Sequence, residues 1–287
     1  MAVLEPLLAQ RDVLGEGPVW CPIEQALYWV DIRKPAVYRY RPEGVRLTAW
    51  PMPSEVGSLA LRQDGGILVA LADRLAFFEP STGSLETVAN LPPGLRCNDG
   101  KCDRGGRFWV GTMHDDERLP VGALYRLDGD RTLRVVAAGL TIPNALAWSP
   151  DDRVMYHADS FQQTIYAYAF DAASGSLGQR RIFAKLPQMG VGPDGATVDA
   201  EGFLWNAEYG GGRLVRYAPD GRIERTVKLP VSQPTSCAFG GKDLDVLYVT
   251  SSRQRMRAEQ VAKEPMAGGL FALDVGVKGL PEPRFAG

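Results

Sequence analysis

Apolar residues along this chain come in short runs separated by turns of Asp, Gly, Pro and Ser, and the same pair of runs recurs six times. Each copy opens on a small residue, passes a turn and enters a second run that ends near an aromatic. The first three copies are 17–20 (GPVW) with 26–30 (ALYWV), 57–61 (GSLAL) with 67–70 (ILVA), and 100–103 (GKCD) with 108–111 (FWVG). The other three are 145–149 (ALAWS) with 154–157 (VMYH), 195–199 (GATVD) with 203–206 (FLWN), and 236–239 (SCAF) with 246–249 (VLYV). Such runs read as β-strands, and a repeat of roughly 40–50 residues built from them predicts a β-propeller.

The turn chemistry agrees. Segments 62–66 (RQDGG), 103–106 (DRGG), 149–152 (SPDD) and 199–202 (DAEG) are hairpin connections, where Gly accepts positive φ and Asp bonds its own backbone. A third run follows in every copy, at 37–40, 75–78, 123–127, 165–170, 214–217 and 270–273, and then an outer strand such as 222–229. The expected architecture is all-β: a six-bladed propeller of four antiparallel strands per blade. No linker or composition shift divides the chain, so 1–287 is expected to be one domain. Helical periodicity is nearly absent; the best candidate, 258–264, is short, stops at Pro265 and reads as a surface turn. A closed ring must cover its edge strands, and the stretch Ala2 to Ala9 is expected to supply an outer strand to the last copy.

Composition narrows the function. With 32 Lys and Arg against 34 Asp and Glu, the formal charge is −2, which argues against a nucleic-acid partner. The short basic piece 253–257 (RQRMR) has no aromatic platform beside it and reads as a solvated loop. The first residues lack the basic and apolar regions of a signal peptide, and no apolar run reaches membrane-spanning length. A soluble cytoplasmic protein without a membrane partner is expected, its oligomeric state left open. Cys21, Cys97, Cys102 and Cys237 have no zinc-binding spacing and are expected to be buried free thiols.

A propeller brings equivalent positions of its copies to one channel. The residues just before the opening small residue of each copy are Glu16, Val56, Asp99, Asn144, Asp194 and Thr235. Asp and Asn before Gly are also common turn formers, so any one of them alone is unremarkable. Several oxygen-bearing side chains at the same repeat phase are different: carboxylates sharing a tight site need a cation or a raised pKa. Carboxylates with an amide oxygen form a hard donor set for Ca²⁺, Mg²⁺ or Mn²⁺, and Zn²⁺ also accepts it. A metal site in the central channel is therefore expected. Nucleophile-elbow, zinc-protease, phosphate-loop and dinucleotide motifs are all missing from the sequence. With His114 and His157 the only histidines, a His-based triad is disfavoured. His157 reads as a core or channel residue, and His114 as either a solvated loop residue or a substrate contact.

At these residues the chain resembles the regucalcin/SMP-30, gluconolactonase and luciferin-regenerating-enzyme family. The matching segments are 14–20 (LGEGPVW), 96–101 (RCNDGK), 107–113 (RFWVGTM), 193–195 (PDG), 199–202 (DAEG), 235–241 (TSCAFGG), 267–271 (AGGLF) and 276–279 (GVKG). They follow in order along essentially the whole length. The resemblance implies a six-bladed propeller in which Glu16, Asn144 and Asp194 bind one divalent metal. It implies that Arg96 and Asn98 bind sugar hydroxyls, and that the acidic loop after Met113 closes over the substrate, with Asp116 where relatives carry Glu. Asp99 is then a channel residue bonding to the ligand set. The implied activity is metal-dependent hydrolysis of a sugar (aldono) lactone to the aldonic acid, with Asp194 also activating the water. A non-catalytic, divalent-metal-binding regulatory propeller would use the same ligands, and other esters or organophosphates would suit the same metal.

Overall fold

The computed structural model describes residues 4–287. Its sheets are small, antiparallel and consecutive in the chain: five of four strands and one of three. Blade 1 comprises Gly15–Cys21, Ala26–Asp31, Ala36–Arg41 and Arg46–Pro51, running from the channel outward. The inner strands of blades 2 to 6 are Val56–Leu61, Arg96–Cys102, Pro143–Trp148, Gly192–Val198 and Pro234–Gly240. Neighbouring inner strands pack against each other, and the sixth packs on the first, so the ring closes into a six-bladed propeller.

Burial explains why the strands read as unbroken apolar runs. The second strands Ala26–Asp31 and Ile67–Leu71 are buried at every position, because the adjacent blades cover both faces. Outer strands such as Arg46–Pro51 and Ile223–Lys228 are mostly exposed. Aromatic pairs seal the seams between blades. Trp50 meets Phe78 across blades 1 and 2, Trp109 meets Trp148 across 3 and 4, and Trp205 meets Phe239 across 5 and 6. At the closing seam Trp20 stacks on Tyr248, centroids 5.6 Å apart. Three deeply buried tryptophans give their indole N–H to an aspartate: Trp29 to Asp12 (2.8 Å), Trp109 to Asp103 (2.9 Å) and Trp205 to Asp199 (2.9 Å).

Both ends of the chain tie the ring together. Of the outer strand expected at Ala2 to Ala9, Ala2 and Val3 fall outside the described residues, and residues 4–9 are irregular and form no strand. Pro6 packs on Gly269, and Leu7 donates to the Leu270 carbonyl at 2.8 Å. The last blade is thus three strands, ending at Phe271–Asp274. Ring closure instead uses a bridge from Leu14 to Ser252 and bonds from Asp12 to Gly268 and Arg253 to Val13. Residues 278–287 cross the face opposite the site, bonding to Ala200 and Leu244 and then to Leu61 and Gly106. They deliver a fully buried Phe285 to the core of blades 2 and 3. The segment expected as a surface turn at 258–264 is a short α-helix, Ala258–Lys263, favoured by its helix-forming residues and ended before Pro265. All four cysteines are free and buried, as expected. Among the described residues no helix is long and apolar enough to cross a membrane.

Burial pushes the Asp12 carboxyl up to about 7, partly offset by hydrogen bonds from Gln10 and Trp29. The folded protein therefore holds this proton more tightly than the unfolded chain, so the contribution is complete below about pH 4 and is lost as pH rises to about 7. Asp12→Asn is expected to gain stability over wild type progressively across that range, read as the difference in urea midpoints.

Candidate active site at the channel mouth

The six phase-equivalent residues all lie on the inner strands, and each strand carries one residue more than its partner there. Glu16 pairs with Val30 but Val19 with Tyr28; Asn144 pairs with Ala158 but Ala147 with Tyr156; Pro193 pairs with Glu208 but Ala196 with Asn206. The same irregularity occurs beside Asn98 and Asp99, after Val56 and after Pro234. A bulge of this kind bends the strand and re-aims the extra side chain, a device common at barrel rims and active sites. Gly17 and Ala145, immediately after Glu16 and Asn144, have φ of 54° and 56°; for Ala145 that left-handed conformation carries strain. Close packing of the inner strands also needs glycine: a Cβ on Gly195 would come 2.1 Å from Ser236 Oγ and 2.9 Å from Ser236 Cα.

Two aspartates fix the segments leading into the site. Asp31 accepts from the N–H groups of Val13 (2.8 Å) and Leu14 (3.1 Å), two residues before Glu16. Asp159 does the same for Thr141 (3.0 Å) and Ile142 (3.1 Å), two residues before Asn144. Asn206 holds the Asp194 carbonyl at 2.7 Å. Ser160 then links blades 4 and 5, accepting from Asn144 Nδ2 (2.8 Å) and donating to the Pro193 carbonyl (2.6 Å).

Glu16, Asn144 and Asp194 all line one cavity of about 400 Å³, together with Arg96 and Asn98. All five side chains are buried. Asn98 donates to Asn144 Oδ1 (3.1 Å) and to the Pro143 carbonyl (3.0 Å), while Arg96 donates to Asn98 Oδ1 (2.8 Å) and the Cys97 carbonyl (3.1 Å). Burial pushes the Glu16 carboxyl up, with the Asp99 charge adding to it; burial and the Glu16 charge push Asp194 well up. Asp99 does not line the cavity. It accepts from the Leu146 N–H at 3.0 Å, fastening blade 3 to blade 4, and burial raises its carboxyl too. Thr235 donates to the Gly15 carbonyl at 2.5 Å and fastens blade 6 to blade 1.

The donor set fits a divalent cation. Two buried carboxyls, of which the Glu16 charge pushes Asp194 up while Asp194 hydrogen-bonds Glu16, need a proton or a cation between them. Asn144 commits Nδ2 to Ser160, which turns Oδ1 inward as the third oxygen. Among the described residues no group of three or more His, Cys, Asp or Glu is arranged to hold a metal, so a three-oxygen protein set at this mouth would have to include an amide.

The structure separates Asp116 from the rest. Its carboxylate faces outward, accepting from the Arg118 N–H and lying 3.0 Å from His114 Nδ1, and the Arg118 bond holds its pKa below the ordinary value. The loop reaches the cavity through its neighbours. Glu117 lines the cavity, and Asp115 accepts from Arg96 Nε (3.0 Å) and from Arg33 (2.5 Å). Asp115 is held below the ordinary range by the Arg33 bond and then by Arg96. Sequence reading missed Asp115, Glu117, Arg33, Ser160, Gln254 and Arg255. The basic piece read as a solvated loop puts Gln254 on the cavity wall and pairs Arg255 with Glu117. His157 is buried, with its pKa pushed down to about 4 by burial and then by the Arg180 charge.

A propeller whose inner-strand bulges gather two carboxylates, two amides and a guanidinium at one mouth defines a class of small-molecule site. The chain matches the SMP-30/Gluconolactonase/LRE-like region over residues 14–253 and belongs to that family. It is 38% identical to a 6-deoxy-6-sulfogluconolactonase of Pseudomonas putida, covering 99% of each chain. It is 40% identical to an L-arabinolactonase of Azospirillum brasilense, covering 96% of this chain and 93% of the relative. Among solved structures, the calcium-binding protein regucalcin from Agrobacterium tumefaciens superposes with a TM-score of 0.95 at 30% identity, over 99% of both chains.

Gly195→Ala is expected to lose about 1–3 kcal/mol of stability in urea, because the added methyl must displace Ser236 on the adjacent inner strand. Gly129→Ala, whose methyl would meet nothing nearer than 3.6 Å, is expected to stay within about 0.5 kcal/mol of wild type.

Proposed function

We propose that this chain hydrolyses a sugar lactone to the aldonic acid, using a divalent ion held by Glu16, Asn144 and Asp194. The observation that carries the reading is the convergence of these three oxygen donors with Arg96 and Asn98 in one cavity. Relatives at 38% and 40% identity over nearly the full length are named as lactonases, which supports it. A bound ion would supply Lewis acidity, polarising the lactone carbonyl and stabilising the oxyanion. Asp194 would take a proton from the attacking water, and such base catalysis contributes about 10²–10⁴-fold. Arg96 and Asn98 hold ring hydroxyls, exchanging the hydrogen bonds of water for fixed ones. In the net reaction the oxygen of water bonds to the carbonyl carbon, and the bond from that carbon to the ring oxygen breaks. The ring oxygen takes a proton of the water and stays on the product as a hydroxyl, and the new carboxylic acid gives its proton to solvent.

Arg96 and Asn98 also bear on the alternative of a non-catalytic metal-binding propeller. Holding an ion does not require a guanidinium aimed into the cavity, whereas orienting a polyhydroxylated ring does.

The test is base uptake during hydrolysis of gluconolactone, xylonolactone, arabinonolactone and galactonolactone by chelator-stripped protein with single ions restored. Activity is expected only with an ion present. Asp194→Ala should lose at least about 10²-fold in kcat, and Arg96→Ala should act mainly on KM. Wild-type kcat in Asp194→Ala, or silence on every lactone with the ion bound, would overturn the reading.

A further inference from the structure

One aromatic side chain at the cavity stands in the open. Phe161 is 57% exposed, whereas the other nine phenylalanines are buried or half-buried. Single exposed apolar residues are common on proteins, so what marks Phe161 is its place. Among the large apolar residues exposed in the described chain, it alone lines the cavity, and it alone is aromatic. Others, such as Ile182 and Ile223, lie on outer strands.

The turn that carries Phe161, a single 3-10 turn over Ser160–Gln162, is fastened on both sides. Asp159 Oδ1 accepts from the N–H groups of Phe161 (3.2 Å) and Ile142 (3.1 Å), and its Oδ2 accepts from Thr141 (3.0 Å) and Gln162 Nε2 (3.2 Å). The Ser160 N–H donates to the Ile142 carbonyl at 2.9 Å. Gln163 closes the turn and gives Nε2 to the carbonyls of Gln188 (2.6 Å) and Val191 (2.9 Å). Ile142 and Val191, bonded to the turn from either side, line the same cavity. The cavity is thus apolar at Ile142, Phe161 and Val191, and polar at Arg96, Asn98 and Glu117. Because Ser160 also holds Asn144, one short turn positions both an amide of the proposed donor set and an open aromatic ring.

A closed polyhydroxylated ring has two kinds of surface. Its hydroxyls need donors and acceptors, while its carbon-bound hydrogens form a flat, weakly positive face that complements the negative face of an aromatic ring. Opening the ring destroys that face, and pressing the flexible chain flat costs rotational freedom. We propose that Phe161 is a stacking platform for the closed ring, through which the cavity tells a lactone from the open-chain acid it becomes. The grip exists before hydrolysis and is lost with it, which favours departure of the product. That consequence rests on the lactonase reading; the preference for a closed ring does not.

The test is calorimetry on protein loaded with the same single ions. The probes are the lactams of gluconic, xylonic, arabinonic and galactonic acids, uncharged closed rings that resist hydrolysis, each set against its open-chain amide. At least one lactam is expected to bind about fivefold or more tighter than its amide. Phe161→Ala should weaken that lactam about three- to tenfold and its amide less than about twofold. Phe161→Tyr should keep the wild-type ratio, and Phe161→Leu, which retains apolar bulk without the aromatic face, should lose it. Ion affinity in Phe161→Ala should stay within about twofold of wild type, since Ser160 is untouched. On lactones the same variant should act on KM rather than kcat. Equal binding of lactams and amides, binding of neither, an equal loss of both in Phe161→Ala, or a ratio kept by Phe161→Leu would overturn the proposal. A closed-ring preference that depends on Phe161, without turnover of any lactone, would overturn the lactonase reading and leave the platform standing. Turnover of a lactone with a ratio unmoved by Phe161→Ala would do the reverse.

Discussion

Two carboxylates, Glu16 from blade 1 and Asp194 from blade 5, are buried at one channel mouth and repel each other. Left to itself such an arrangement would open, since each charge gains by returning to water. It persists because neither side chain can leave its strand: Asp31 pins the entry to blade 1, Asn206 pins the Asp194 carbonyl, and the six inner strands brace one another. The rigidity of the ring is thus what keeps two carboxyls together in a buried channel mouth. The same bracing holds the strained backbone after Asn144.

Much of this was legible in the chain. Six recurrences of an apolar run, a Gly- or Asp-bearing turn and a second run identify the propeller, because both faces of each blade are covered and the runs stay continuous. The phase of the repeat marked six positions that include Glu16, Asn144 and Asp194, since equivalent positions in a ring are neighbours in space, and the family resemblance picked those three from the six. Val56 and Thr235 share that phase without oxygen donors suited to a cation site, which shows that phase places a residue but does not assign its chemistry.

The loops resisted reading for a physical reason. No periodicity constrains 114–121 or 252–257, and their conformations are decided by partners far away in sequence. Counting along the loop led to Asp116, but the left-handed turn at Glu117 rotates Asp116 outward and brings Glu117 over the cavity. Arg255 looked like one charge in a basic, solvated stretch until its partner, 138 positions earlier, was seen.

The extra residue in every inner strand has an evolutionary implication. Because a bulge interrupts the regular ladder at or beside each of these positions, a side chain there can be exchanged with little effect on the pairing on either side. The ring then behaves as a socket with six pins, of which three carry the proposed donor set while Val56, Asp99 and Thr235 serve packing and inter-blade fastening. New donors at the unused pins would change the coordination of a captured ion while leaving the scaffold intact, so one architecture can diversify its chemistry by single substitutions.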